Sequence, residues 1–199
     1  MALKFAVNNS LSAITSLPSG ISGGALNLIS TQTASASASL EFTLDDSYDS
    51  YVFKFINIHP ANNGVHLEFN MSTDGGSNYN VTKTTTHFRT YHNESGTETT
   101  LEYYTSGDLA QSTSNHMLLN STGNSNDEST SGSLQIFNPS SSVFVKHFIA
   151  NFNNYNQGDY SANHYSAGYG NTTSPITNLK FQFSSGNIDD GIIKMYGVL

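Results

Sequence analysis

The residues able to do chemistry in this chain are acids, histidines and hydroxyls, because it contains no cysteine. Disulfides, thiolate metal sites and cysteine nucleophiles are thereby excluded. Glycoside hydrolysis would need two carboxylates flanking the scissile bond. The clustered acids are Asp45, Asp46 and Asp49 in LDDSYDSY, Asp127 and Glu128 in NSTGNSNDESTSG, and Asp189 and Asp190 before the last apolar run. All sit among Ser, Gly and Asn, in turn-like contexts where carboxylates are solvated, so none is read as an acid–base pair. Glu68 differs, being centred in the alternating run VHLEFNM, where it shares a polar face with His66 and Asn70. That face would meet solvent, a carbohydrate or a neighbouring subunit. LDDSYDS interleaves carboxylates with hydroxyls as a hard cation would accept, but it lacks the glycine and closing glutamate of a calcium loop. The seven histidines, at 59, 66, 87, 92, 116, 147 and 164, form no H-E-x-x-H. Only His87 and His92 lie close together, and an odd spacing along a strand puts them on opposite faces, so zinc is not expected. No G-x-S-x-G, phosphate-binding loop or dinucleotide fingerprint occurs, and nothing orients a serine as a nucleophile. No catalytic, cofactor-binding or metal-binding residue is assigned, and the chain is read as a non-enzyme.

One motif points the other way. In NMSTDGGSNYN, Ser72, Asp74, Gly76 and Tyr79 fall at the spacing S-x-D-x-G-x-x-aromatic, which resembles the Asp-box of sialidases and related propellers. Sialidase chemistry grips a carboxylate with several guanidinium forks, and Arg89 is the single arginine here. The enzyme reading fails on that count. Physically the spacing encodes a tight hairpin: Asp74 accepts hydrogen bonds from the turn, Gly75 and Gly76 supply positive φ, and Tyr79 returns to the core. The hairpin would pin the strand carrying Val65, Leu67, Phe69 and Met71 to a strand starting at Tyr79.

The elements that must position these residues are strands. Charged residues make up only 11% of the chain, so Ser, Thr and Asn must form its polar surface, a composition of strands and turns rather than of surface helices. From SASASLEFTL onward the pattern has period 2: Tyr51, Phe53 and Phe55 share a face, as do Leu179, Phe181 and Phe183. HPANNG, with Pro60 and Asn63-Gly64, reads as the turn of an antiparallel hairpin joining YVFKFINI to VHLEFNM. Further strands are expected at YNVTKTTTHFRTYH, TLEYYT, SLQIF, SVFVKHFIANFN, NHYSAGYG, NLKFQFSS and GIIKMYGVL, with a short helical turn at 106–112 and long surface loops at 92–100 and 120–132. Ten to twelve short strands punctuated by turns predict an all-β antiparallel β-sandwich of jelly-roll type over residues 35–199. A propeller would need a repeated blade motif, and none recurs. Residues 1–34, broken by LPSGISGG, read as an extended N-terminal arm whose Leu26, Leu28 and Ile29 dock on the domain or on a neighbour.

A net charge of -8 with no basic cluster excludes nucleic acid as a partner. The opening residues hold one lysine and no apolar run of signal-peptide length, and no later stretch is long and apolar enough for a span, so neither secretion nor membrane insertion is expected. Six N-x-S/T triplets, at Asn8, Asn70, Asn80, Asn93, Asn120 and Asn171, are read as chance in a chain so rich in Asn, Ser and Thr.

Three segments carry a resemblance: YVFKFINIHPANNGVHLEFNMSTDGGSNYN, LQIFNPSSSVFVKHFIANFNNY and GNIDDGIIKMYGVL. Over roughly residues 40–199 the chain resembles the β-rich structural proteins of tailed phages that infect marine bacteria. The resemblance implies a non-enzymatic virion component, a homotrimer assembled in the host bacterial cytoplasm and displayed as a capsid decoration or head-fibre protein that touches capsid or neighbouring subunits. It implies no catalytic residues and no cofactor. The alternative is a tail-associated fibre or a carbohydrate-binding module that contacts host surface glycan through Tyr91, Tyr103, Tyr104, Tyr155 and Tyr160.

Overall fold

The structure, a computed structural model, describes residues 26–198. These form twelve strands and no helix: β1 (Asn27–Thr33), β2 (Leu40–Thr43), β3 (Ser50–Pro60), β4 (Val65–Ser72), β5 (Lys83–Asn93), β6 (Thr99–Tyr103), β7 (His116–Thr122), β8 (Thr130–Phe137), β9 (Lys146–Asn156), β10 (Tyr160–Gly170), β11 (Asn178–Phe183) and β12 (Ile188–Val198). Every pairing is antiparallel, and the sheet is nearly closed into a barrel. It runs in two paths. The longer is β1-β12-β3-β8-β9-β10-β5-β6 and the shorter is β7-β4-β11-β2, joined by the single pair Thr122↔Asn156.

The two paths face each other across a phenylalanine core. Phe181 of β11 lies 5.2 Å and 4.9 Å, centroid to centroid, from Phe53 and Phe55 of β3, and Phe69 of β4 lies 4.9 Å from Phe148 of β9. Most of these contacts are edge-on or tilted, as ring quadrupoles prefer. The period-2 pattern read from the sequence is what presents these rings to one side.

Strand pairing departs from the expected hairpins. β3 and β4 do not pair with each other: β3 bonds to β12 and β8, whereas β4 bonds to β11 and β7. HPANNG therefore carries the chain from one path to the other. The Asp74 turn likewise joins β4 to a strand, β5, that it does not pair with; on the approach to β5, Val81 N–H donates to the Met71 carbonyl at 3.4 Å. The turn chemistry itself stands. Asp74 accepts from Ser72 Oγ (2.7 Å), Asn78 N–H (2.9 Å) and Asn78 Nδ2 (2.7 Å), and Gly75 and Gly76 have φ of 75° and 87°. Tyr79 does not enter the core; it is half-buried at the surface, donating to Glu41 at 3.0 Å with Lys180 Nζ over its ring. Residues 106–112 form turns rather than helix.

Of the segment read as an arm, residues 27–33 are β1, bonded along the edge of β12, so the folded region begins earlier than residue 35. Residues 1–25, with Asn8, lie outside the described residues.

Candidate functional site

Strands β5 and β10 are built inside out. On β5 the side chains of Lys83, Thr85 and His87 are buried, while Phe88 points outward and is 45% exposed. On β10 His164 and Ser166 are buried and Tyr165 is exposed. Elsewhere the same alternation buries phenylalanine. The interior beneath β5, β10 and β7 is therefore lined with imidazole, amide and hydroxyl groups.

Three histidines meet there. His87 Nε2 and His164 Nδ1 lie 3.0 Å apart, so one ring donates to the other. His116 of β7 stands 6.2 Å from His87 by ring centroids and packs edge-on to Phe69. Burial holds all three deprotonated at neutral pH, His87 at about 4 and His116 and His164 at about 3. Lys83, also buried, donates to Asn70 Oδ1 (2.6 Å) and the Val81 carbonyl (2.7 Å), and burial lowers it to about 8. Among the described residues no group of three or more His, Asp or Glu is arranged to hold a metal. Among the described residues, seven of the eight buried side-chain polar atoms without a protein partner belong to this sector: His87 Nδ1, both nitrogens of His116, His164 Nε2, Ser166 Oγ, and the carbonyl oxygens of Asn120 and Asn154.

The polar column continues outward along β5 as Arg89 and Tyr91, which form a mouth. Arg89 donates through Nε, and presents Nη2, to Glu102 Oε1, each at 2.7 Å, and its guanidinium lies 4.0 Å from the Tyr104 ring centroid. Tyr91 and Tyr160 meet edge to face at 5.3 Å, and their hydroxyls donate to the two oxygens of Glu98 at 3.0 Å and 2.9 Å. Asn120 Nδ2 donates to the Tyr104 hydroxyl at 3.1 Å. A depression of about 270 Å³ is lined by Arg89, Tyr91, Glu98, Asn120, Asn156 and Tyr160. On the opposite face of these strands, His92, Glu94, Tyr155 and Ser161 line a separate depression of about 480 Å³ that Tyr160 borders. Glu98 raises the Tyr160 hydroxyl pKa, and Glu94 raises that of Tyr155 to about 12.

On the outer face, the inversion exposes a row of aromatics. Asn151, Tyr165, Phe88 and Tyr103 stand in register across β9, β10, β5 and β6. Phe88 and Tyr165 stack at 4.9 Å with an interplanar angle of 9°. Leu101 and Ile149, 76% and 57% exposed, flank the row, and Val143 and Phe144 are exposed on the turn before β9.

The residues singled out in the sequence are scattered around these features. Of the five tyrosines, Tyr91, Tyr104 and Tyr160 converge on the mouth, Tyr155 lines the depression on the opposite face, and Tyr103 belongs to the outer row. Asp45 is tied into its own turn, accepting from the Tyr51 hydroxyl and from Ser47 N–H (3.2 Å), and the Tyr51 bond lowers its pKa. Glu68 is half-buried, which raises its pKa, and Asn115 donates to it at 3.1 Å. Asp127, Glu128, Asp189 and Asp190 share one groove with His59, although Glu128, expected to be solvated, is buried and accepts from Ser125 N–H at 2.5 Å. His87 and His92 do face opposite sides of β5. The sequence reading missed the histidine cluster because its members lie on three strands far apart in the chain; the one local signal was that Lys83, Thr85, His87, Arg89 and Tyr91 share an alternate register.

No protein-family model matches the chain, and comparison with curated proteins and with solved structures finds no match. Among the described residues no helix is long and apolar enough to cross a membrane.

Proposed function

We propose that this chain is a non-enzymatic virion structural protein, assembled in a host bacterial cytoplasm and displayed on a phage particle as a capsid decoration or head-fibre protein. Its body is a jelly-roll-type sandwich. The strand orders β1-β12-β3-β8 and β2-β11-β4-β7 support that description, since two Greek keys rolled together alternate successive strands between two sheets in this way. Such rolls recur in viral capsid and lectin domains. β5, β6, β9 and β10 are then additions that widen one sheet.

The observation that carries the display reading is the outward aromatic row on those added strands. Soluble monomers rarely leave a contiguous apolar patch uncovered, and this one is built by turning two strands inside out, at the cost of placing histidines in the interior. A face of that kind fits an identical neighbour in a homotrimer or a capsid surface. The low charge of the chain suits such ordered contacts. Mass spectrometry of purified phage particles, with light scattering of the isolated protein, tests this: the chain is expected in the particle and as a trimer in solution. A monomer absent from particles would overturn the reading.

A further inference from the structure

We propose that Lys83 and Asn70 form an intramolecular amide cross-link, in which Lys83 Nζ displaces the side-chain nitrogen of Asn70 as ammonia. The inference goes beyond the display reading and does not depend on it.

Three observations converge on this pair. The first is contact in a water-free place: Lys83 and Asn70 are 0% and 2% exposed, and Lys83 Nζ lies 2.6 Å from Asn70 Oδ1. The carbon to be attacked, Asn70 Cγ, is one carbonyl bond beyond that oxygen, about 1.2 Å. The second is a missing counter-charge. Both partners of Lys83 Nζ are neutral oxygens, Asn70 Oδ1 and the Val81 carbonyl, and the one ion pair among the described residues is Arg89 with Glu102. A buried ammonium without a carboxylate is costly, and burial has already lowered Lys83 to about 8, so free amine is present near neutrality. Conversion to an amide removes the charge altogether. The third is the orientation of the Asn70 amide. Met71 N–H donates to Oδ1 at 2.9 Å, whereas Nδ2 donates to the Thr113 carbonyl at 3.1 Å and to Asn115 Oδ1 at 3.0 Å. The carbonyl is thereby polarised, and the nitrogen that must leave is held by groups other than Lys83. Lys146 supplies the contrast. It is also buried, but its ammonium meets only the main-chain carbonyls of Phe144 and Thr172 and no side-chain amide.

The reaction needs no oxidant and no cofactor. Lys83 Nζ, having given up its proton, attacks Asn70 Cγ, and the negative charge that forms on Oδ1 is met by Met71 N–H. A proton passes from the attacking to the departing nitrogen, the Cγ–Nδ2 bond breaks, the carbonyl re-forms and ammonia leaves. The product ties β4 to the first residue of β5, two strands that share no ladder. It therefore joins the two sheet paths, which are otherwise bonded only through Thr122↔Asn156. In a chain without cysteine, such a bond would do the work of a disulfide.

Mass spectrometry of the unaltered protein, held at mildly alkaline pH until its mass is constant, tests this. The intact mass should fall about 17 Da below that of the sequence, the mass of one ammonia. Cleavage with trypsin and then at Asp74 should leave residues 55–73 and 74–89 joined as one species, with no cut after Lys83. Acetylation of the denatured protein should reach Lys146 and leave Lys83 unlabelled. Lys83→Met and Asn70→Ala should each abolish the mass loss. Separate fragments of full mass, or acetylation of Lys83, would overturn the proposal. So would an ammonia loss confined to the 55–73 fragment, which would report ring closure of Asn70 on its own backbone. Peptide mapping of the natural chain decides the matter even if both variants fail to fold.

Discussion

His87, His116 and His164 determine how the molecule answers acid. Each is a base whose folded pKa lies below its unfolded value of 6.5, so the unfolded chain takes up protons first. Stability contributed by the neutral rings is complete above 6.5 and falls as pH drops toward about 4 for His87 and about 3 for the other two. At about 1.4 kcal/mol per pKa unit, His87 alone accounts for about 3 kcal/mol by pH 4. The charged groups around the cluster do not offset this: Arg89 and Lys83 oppose protonation, and Asp108 alone favours it, weakly. Urea midpoints measured from pH 7 to pH 4.5 should fall steeply, and His87→Gln with His164→Gln should flatten the profile. An unchanged slope in that variant would place the acid response elsewhere.

At the scale of elements, β3 and β12 show how an irregularity can be built in. Their ladder slips between Phe55 and Ile58 on the β8 side and around Asp190 on the β12 side. Two residues absorb the slips, Asn57 at a φ of 50° and Gly191 at a φ of 120°. A Cβ on Gly191 would meet the Asn57 carbonyl oxygen and Ile58 Cα, each at 2.7 Å. Both the dihedral and the backbone approach therefore demand glycine. Gly191→Ala should lower unfolding free energy by about 2 kcal/mol or more, read from denaturant midpoints; a variant as stable as the parent would show that the bulge relaxes freely. The inversion of β5 and β10 is a different device. It costs buried polar surface inside and exposes Phe88 and Tyr165 outside, so one antiparallel pair serves two faces at once.

For the molecule as a whole, association through the outer row is the property most open to measurement. Phe88→Ser combined with Tyr165→Ser should convert the assembled form to a monomer in light scattering while leaving the far-ultraviolet circular dichroism unchanged, because neither ring contributes to the core. A variant that stays oligomeric would move the contact to another surface. Sequence alone determined that the chain is made of strands, because an alternation of apolar and polar residues such as Val65 to Met71 is compatible with nothing else over that length. It also determined the positive-φ turn at Gly75 and Gly76. Tertiary structure decided which strands pair. HPANNG and STDGG state that the chain turns, but whether β3 meets β4 depends on which free edges are present, and those edges belong to β8, β11 and β12. Tertiary structure also decided the inner face of β5, since Thr, His and Phe alternate there without a clear apolar side until β10 and β7 supply polar neighbours. The mouth was beyond local reading for the same reason: Arg89, Asn120 and Tyr160 come from three strands, and their meeting is a property of the packed molecule and of no segment within it.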